Sequence, residues 1–287
     1  MSACDTHFHV FGPEERYPYS SDLRYTPPSA PLEDYLEHAR ELGIGRYVFV
    51  QPSAYGRDNR CMLDAMRVVG TQSCRGIVDI EEDTPEAELE RLDAAGARGV
   101  RVNVNPIKPP EPGFSMSLMK RIRTLDAKCA VRGWMLDFLA PGWLTRELIP
   151  VFRDLQSRFS IAHLGMFPAM AGPQQPGFME FVNLVRGCER CWVKLTGAYR
   201  ISLEPGFADT APLARALIAA APERVIWGSD YPHLSFSDRV DTRRLLALLE
   251  TWAPDKRVRD QILVENPLRC FGFSLPRFTA GESRWRR

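Results

Sequence analysis

Three histidines and one aspartate stand where apolar runs of this chain stop, and their types suit hydrolytic chemistry. The segment Asp5-Thr6-His7-Phe8-His9 sets two imidazoles two residues apart. On a strand that spacing turns both to one face and Phe8 to the other. Two buried imidazoles on one face are costly unless each bonds to something specific. A second run ends at Ile161-Ala162-His163 and another at Trp227-Gly228-Ser229-Asp230, with His233 three residues on. Imidazole nitrogens of His7, His9 and His163 with the Asp230 carboxylate suit a divalent ion such as zinc. The same four groups can instead act as acid-base and hydrogen-bonding residues without a metal. His233 can belong to this site, to a supporting layer around it, or to a helix terminus.

Positive charge recurs near the same positions. In Arg98-Gly-Val-Arg101-Val-Asn103-Val-Asn105, Arg101, Asn103 and Asn105 share a face, and Val102 and Val104 share the other. A buried arginine needs an anion, so Arg101 is either a bidentate clamp for a substrate carboxylate or half of an internal ion pair. Lys194 closes the run Trp192-Val-Lys194-Leu195, and Arg200 follows in the next loop. Each either adds positive charge to a pocket or is paired structurally. His38 lies within the helical pattern LEDYLEHAR and reads as a surface or packing residue. Cys188 and Cys191 form a lone CxxC with no second pair and no nearby histidine, so a structural role is expected.

The elements that must position these groups follow from periodicity. Eight apolar runs, 3–10, 46–51, 75–80, 98–104, 130–136, 159–163, 191–195 and 224–230, alternate with stretches of 3.6-residue period such as LEDYLEHAREL and FMEFVNLVRG. Runs apolar on both faces fit parallel strands covered on both sides. Eight such units in alternation predict an α/β fold, a single (β/α)8 TIM barrel over residues 1–273 with a loosely packed tail over 274–287. An open doubly wound sheet is the rival, and no GxGxxG follows any run. Residues 256–273 read as one further helix. In a barrel, His7, His9, His163 and Asp230 meet at the C-terminal mouth of the strands. The inward set of the fifth run stays open among Trp134, Met135, Leu136 and Asp137. That run offers no histidine and the fourth no lysine, so at most one metal ion is expected.

Composition excludes several partners. With 37 Lys and Arg against 36 Asp and Glu, no global field draws nucleic acid or an anionic membrane surface. No run of 18 apolar residues and no signal-like N-terminus occurs, so a cytoplasmic location is expected, with the seven cysteines reduced.

CDTHFHVFGP, VQPSAYGRDNR, RGVRVNV, AHLGM, VKLTGAYR, WGSDYPH and NPLRCFGF occur in that order from Cys4 to Phe273. This series resembles the 2-pyrone-4,6-dicarboxylate lactonase-like branch of the amidohydrolase superfamily. The resemblance implies a hydrolase opening a carboxylated lactone, with no obligatory cofactor in the lactonase and with one zinc or manganese ion in other relatives. It matches His7 and His9 to the family's first-strand pair, His163 and Asp230 to its sixth- and eighth-strand residues, and Arg101 and Arg200 to its substrate-carboxylate arginines. The chain departs from the pattern at Ile107, where a further basic residue is expected and Lys108 stands beside it. It departs again in WMLDFLA and AHLGM, which points to an acidic lactone other than the pyrone dicarboxylate itself.

On this reading Asp230 activates a water against the lactone carbonyl, and His7, His9 and His163 polarise the carbonyl oxygen directly or through an ion. Arg101 and Arg200 hold carboxylates, with Asn103, Lys194 and His233 lining the site. A decarboxylase or lactone isomerase on the same barrel is the alternative reaction, and a non-enzymatic ligand-binding barrel the alternative outside catalysis. Oligomeric state is left open.

Overall fold

The computed structural model describes residues 2–21, 23, 25–104 and 114–273. Asn105, Ile107, Lys108 and the tail over 274–287 lie outside the described residues. Eight strands run Ala3–Phe8 (β1), Ile44–Val50 (β2), Cys74–Val78 (β3), Ala97–Asn103 (β4), Met135–Leu139 (β5), Arg158–Ile161 (β6), Cys191–Leu195 (β7) and Val225–Trp227 (β8). They form one sheet in sequential order with every paired neighbour parallel. Closure comes from β8 and its extension meeting β1: Thr6 Oγ1 donates to the Trp227 carbonyl at 2.7 Å, and the Asp230 N–H to the His7 carbonyl at 2.8 Å. The expected TIM barrel is therefore the observed fold.

Each outward strand face packs on helices. Phe8 stacks on Tyr35 of the helix Leu32–Glu41 (α1), and Val100, Val102, Leu136 and Phe138 join the same outer core. Facing inward, Cys4, Val48, Val50, Ile77, Met135, Trp192 and Ile226 fill the lower barrel, which Cys270, Phe271 and Phe273 close from beneath. The barrel is thus a packed core below and a polar cup above.

Two expectations change in detail. The fifth run is expected over 130–136, but the helix before it continues to Arg132 (Phe114–Arg132). Gly133, at a φ of 65° that suits glycine, ends it before β5 starts at Met135. Ala130-Val131-Arg132 is apolar enough to read as strand, yet its exposed Val131 belongs to the solvent side of a helix. The single helix expected over 256–273 is divided into Lys256–Asp260 and Asn266–Phe271 by a π-helical turn, Gln261–Glu265.

Candidate active site

A one-residue bulge in β1 decides which side chains enter the cup. The β1–β2 register steps three residues in β1, from Asp5 to Phe8, against two in β2, from Tyr47 to Phe49. Cys4 below the bulge and His7 and His9 above it thereby all face inward, while Asp5 and Phe8 meet Tyr35 outside. The paired imidazoles read from the sequence are in contact, with ring centroids 5.2 Å apart, and His163 stands 5.3 Å from His7.

Asp230 sits at the centre of these rings. Its Oδ1 lies 3.6 Å from His7 Nε2 and 3.7 Å from His9 Nε2, and its Oδ2 lies 3.9 Å from His163 Nε2. Oδ2 accepts the Tyr199 hydroxyl at 2.5 Å and Arg200 Nε–H at 2.7 Å. Oδ1 and His7 Nε2 are buried without a hydrogen-bond partner among the described residues. Such orphaned polar atoms are costly unless a ligand or water meets them.

The backbone is shaped to the task. His163 and Asp230 take left-handed φ values of 54° and 59°. Those conformations cost of order 1–3 kcal/mol for a non-glycine residue and cluster at functional sites. A Cβ on Gly228 would fall 2.7 Å from the His7 backbone N, and one on Gly197 would fall 2.5 Å from His163 Nδ1. Glycine at these positions lets the eighth strand end and the seventh loop press against the imidazoles.

Charge states follow from burial and from two arginines. Burial lowers His7, His9 and His163 below the usual imidazole range, His163 to about 3, so all three are neutral near pH 7. Burial works against ionisation of Asp230, but Arg200 and the three imidazoles outweigh it and hold the carboxyl well below its ordinary value. Burial raises the Tyr199 hydroxyl, with the Asp230 charge adding to it, and keeps it a donor.

The other residues read from the sequence distribute themselves around this centre. Arg101 is buried on the inward face, donates Nη1–H to the Gln51 carbonyl at 2.5 Å, and has no partner for Nε among the described residues. No carboxylate lies within ion-pair distance of it among the described residues, so the internal-pair alternative is absent there. Asn103 is exposed at the end of β4. Arg200, 20% exposed, pairs with Asp230 and leans over the Tyr199 and Phe236 rings. Lys194 is fully buried beneath the site, ion-paired with Asp137 at 2.6 Å and 3.3 Å from His7 Nδ1. His233 lies beside Tyr199, with Nε2 3.2 Å from Thr242 Oγ1. Sequence reasoning passed over Tyr199 and Thr196, whose Oγ1 lies 2.5 Å from His163 Nδ1. Their position between Lys194 and Arg200 in VKLTGAYR is the signal that could have found them. Asp137, one of four open choices, proves inward.

Beside the mouth, a cavity of about 620 Å³ is bounded by Tyr199, Arg200, Phe207, Phe236, Arg239 and Arg244 among others. It shares Tyr199 and Arg200 with the buried centre and carries positive charge from Arg200, Arg239 and Arg244.

His7, His163 and Asp230 offer ligand atoms within 4.8 Å of one another, so by element type the site could hold one divalent ion. The surroundings fit an ion poorly. Arg200 and Tyr199 already occupy Asp230 Oδ2, and the ammonium of Lys194 stands directly behind His7.

Comparison with known proteins places this geometry. The amidohydrolase family model matches residues 4–273. A 4-sulfomuconolactone hydrolase of Hydrogenophaga intermedia is 38% identical over 272 residues, covering 93% of this chain and 88% of the relative. A D-galactarolactone isomerase of Agrobacterium fabrum is 31% identical, covering 95% and 91%. A Pseudomonas putida crystal structure described as a 2-pyrone-4,6-dicarboxylic acid hydrolase superposes with a TM-score of 0.81 at 31% identity, covering 96% of this chain and 98% of that one. With the family model spanning the whole barrel and the strand-end histidines and aspartate gathered at its mouth, the chain belongs to the amidohydrolase family.

Proposed function

We propose that this chain is a hydrolase that opens a lactone bearing an acidic substituent, with Asp230 as the base for the attacking water. The observation that carries the reading is the buried Asp230 Oδ1, without a hydrogen-bond partner among the described residues, facing two imidazole nitrogens at 3.6 and 3.7 Å. A water there donates one proton toward Oδ1 while its oxygen attacks the ring carbonyl. The proton passes to Asp230, the tetrahedral oxyanion takes a hydrogen bond from His7, and the ring C–O bond breaks as Asp230 returns the proton to the leaving oxygen. Because Arg200 and Tyr199 hold Oδ2, the free oxygen stays aimed at the water.

Arg101, whose Nε has no partner among the described residues, and Arg200 together with the cationic side cavity serve the acidic group. Asn103 at the rim is a further polar contact. Lys194 acts from below the site, because its amine is fully buried and taken by Asp137. His233 supports Tyr199 rather than touching the substrate. The relatives' names favour this class: one hydrolyses a sulfonated lactone, another a pyrone dicarboxylate. The isomerase relative supplies the second reading, in which the same carboxylate moves a proton within the lactone.

The test is turnover of a panel of carboxylated and sulfonated lactones by purified protein before and after chelator treatment, with products identified. Ring-opened acid formed at full rate by metal-free protein is expected. An isomeric lactone as sole product would establish the second reading, and activity restored only by added zinc or manganese would overturn the metal-independent route.

A further inference from the structure

Beneath the reacting groups lies a charged layer to which the proposed reaction assigns no step. Lys194 Nζ lies 2.6 Å from Asp137 Oδ1, and Ser160 donates its hydroxyl to that same oxygen. All three side chains face inward from β5, β6 and β7, and Lys194 has no exposed surface. Placing an ion pair in a barrel core costs desolvation, and replacing such a pair with apolar residues is often neutral or stabilising. Its contact with His7 Nδ1, at 3.3 Å, suggests what it does there.

An ammonium has three donors and no acceptor, and a neutral imidazole has one of each. The ring nitrogen that meets Lys194 must therefore be the unprotonated one. We infer that Lys194 fixes His7 in the tautomer that carries its proton on Nε2, making His7 an N–H donor into the reaction site. His9 is set the opposite way. Its Nδ1 lies 2.7 Å from the Val50 carbonyl oxygen, which can only accept, so Nδ1 carries the proton and Nε2 presents a lone pair. The two Nε2 atoms flank the same oxygen of Asp230 at nearly equal distances. The two histidines of the first strand are thus chemically unlike, one a donor and the other an acceptor.

Two consequences follow. The first rests on the proposed hydrolysis: the water is flanked by acceptors, Asp230 Oδ1 and His9 Nε2, while His7 Nε2–H is the donor free to meet the carbonyl oxygen as it gains charge. The second concerns metal. A protonated Nε2 has no lone pair for an ion, so ligation by His7 requires that proton to leave while Lys194 still donates to the other nitrogen. Lys194 is accordingly a positioning residue that selects hydrogen-bond catalysis over metal binding at a site whose element types would otherwise suit zinc.

The test reads the tautomer directly. In protein labelled with ¹⁵N-histidine, with His7 signals assigned by comparison with His7→Gln, the wild type should show a protonated Nε2 and bare Nδ1 for His7, and the reverse for His9. A His7 protonated on Nδ1, or on both nitrogens, would overturn the inference. Lys194→Met combined with Asp137→Asn removes the donor and its countercharge together. In that variant His7 should lose its single-tautomer pattern, and zinc chloride should bind about 10–100-fold more tightly by calorimetry, the range for residues that orient ligands. An unchanged His7 pattern in the folded variant would equally overturn it, and should the variant not fold, the wild-type spectrum decides. A chain that opens no lactone would sink the proposed function and leave the tautomers as they are.

Discussion

Replacing Asp230 by asparagine separates the carboxylate's chemistry from its place in the fold. The amide oxygen can still accept from Tyr199 and Arg200, now 2.5 and 2.7 Å from Oδ2, and the amide N–H₂ then lies between His9 Nε2, an acceptor, and His7 Nε2–H, a donor. What is lost is the negative charge beside Arg200. Breaking a fully buried ion pair costs about 3–5 kcal/mol. Arg200 is 20% exposed and keeps an oxygen partner, so the loss should be nearer the value of one charged hydrogen bond, about 1.5–3 kcal/mol. For a chain of this size each kcal/mol moves Tm by about 2–4 °C, giving a folded protein melting about 3–12 °C lower. Activity should fall much further, by about 10²–10⁴, the usual contribution of a general base. Initial rates at saturating acidic lactone, with a circular-dichroism melt of the same sample, measure both. A folded variant within tenfold of wild-type turnover would refute the role of Asp230 and the pathway built on it.

Other perturbations test separate parts of the site. Because burial leaves the imidazoles neutral, His163 titrating at about 3, and Asp230 ionised, kcat/KM should show no acid limb between pH 8 and 5; a limb near 6.5 would contradict the charge assignment. His233 is lowered by burial to about 4, so between there and about 6.5 the unfolded state binds the extra proton and stability falls as pH falls. The stability lost in His233→Gln should consequently be about 2 kcal/mol smaller at pH 5 than at pH 8, read from denaturant melts; an equal loss at both pH values would contradict the shift. Gly197→Ala meets both a φ of 59° and a Cβ 2.5 Å from His163 Nδ1. It should lower kcat by about 100-fold through displacement of the ring, and wild-type kcat would show that His163 tolerates movement.

Local pattern made much of this site legible. Alternation placed His7 and His9 together and Phe8 opposite, and the ends of apolar runs marked His163 and Asp230, because a strand's side-chain period and a barrel's open mouth are set by nearest-neighbour geometry. The eight-fold alternation of strand and helix was readable for the same reason. The boundary of β5 was not, since Ala130-Val131-Arg132 is compatible with either element until packing assigns it to the helix.

Side-chain partnership belonged to the tertiary structure alone. Lys194 and Asp137 are 57 positions apart in sequence and meet only because β5 and β7 flank β6 in the closed sheet. That closure took Lys194 from the substrate-facing role its strand-end position suggested to a place behind His7. It likewise brought Tyr199 and Arg200 onto one oxygen of Asp230 and left the other bare. Residue type and spacing determined which groups could do chemistry. Which proton each of them carries depends on contacts between strands distant in the chain, and only the closed barrel decides those.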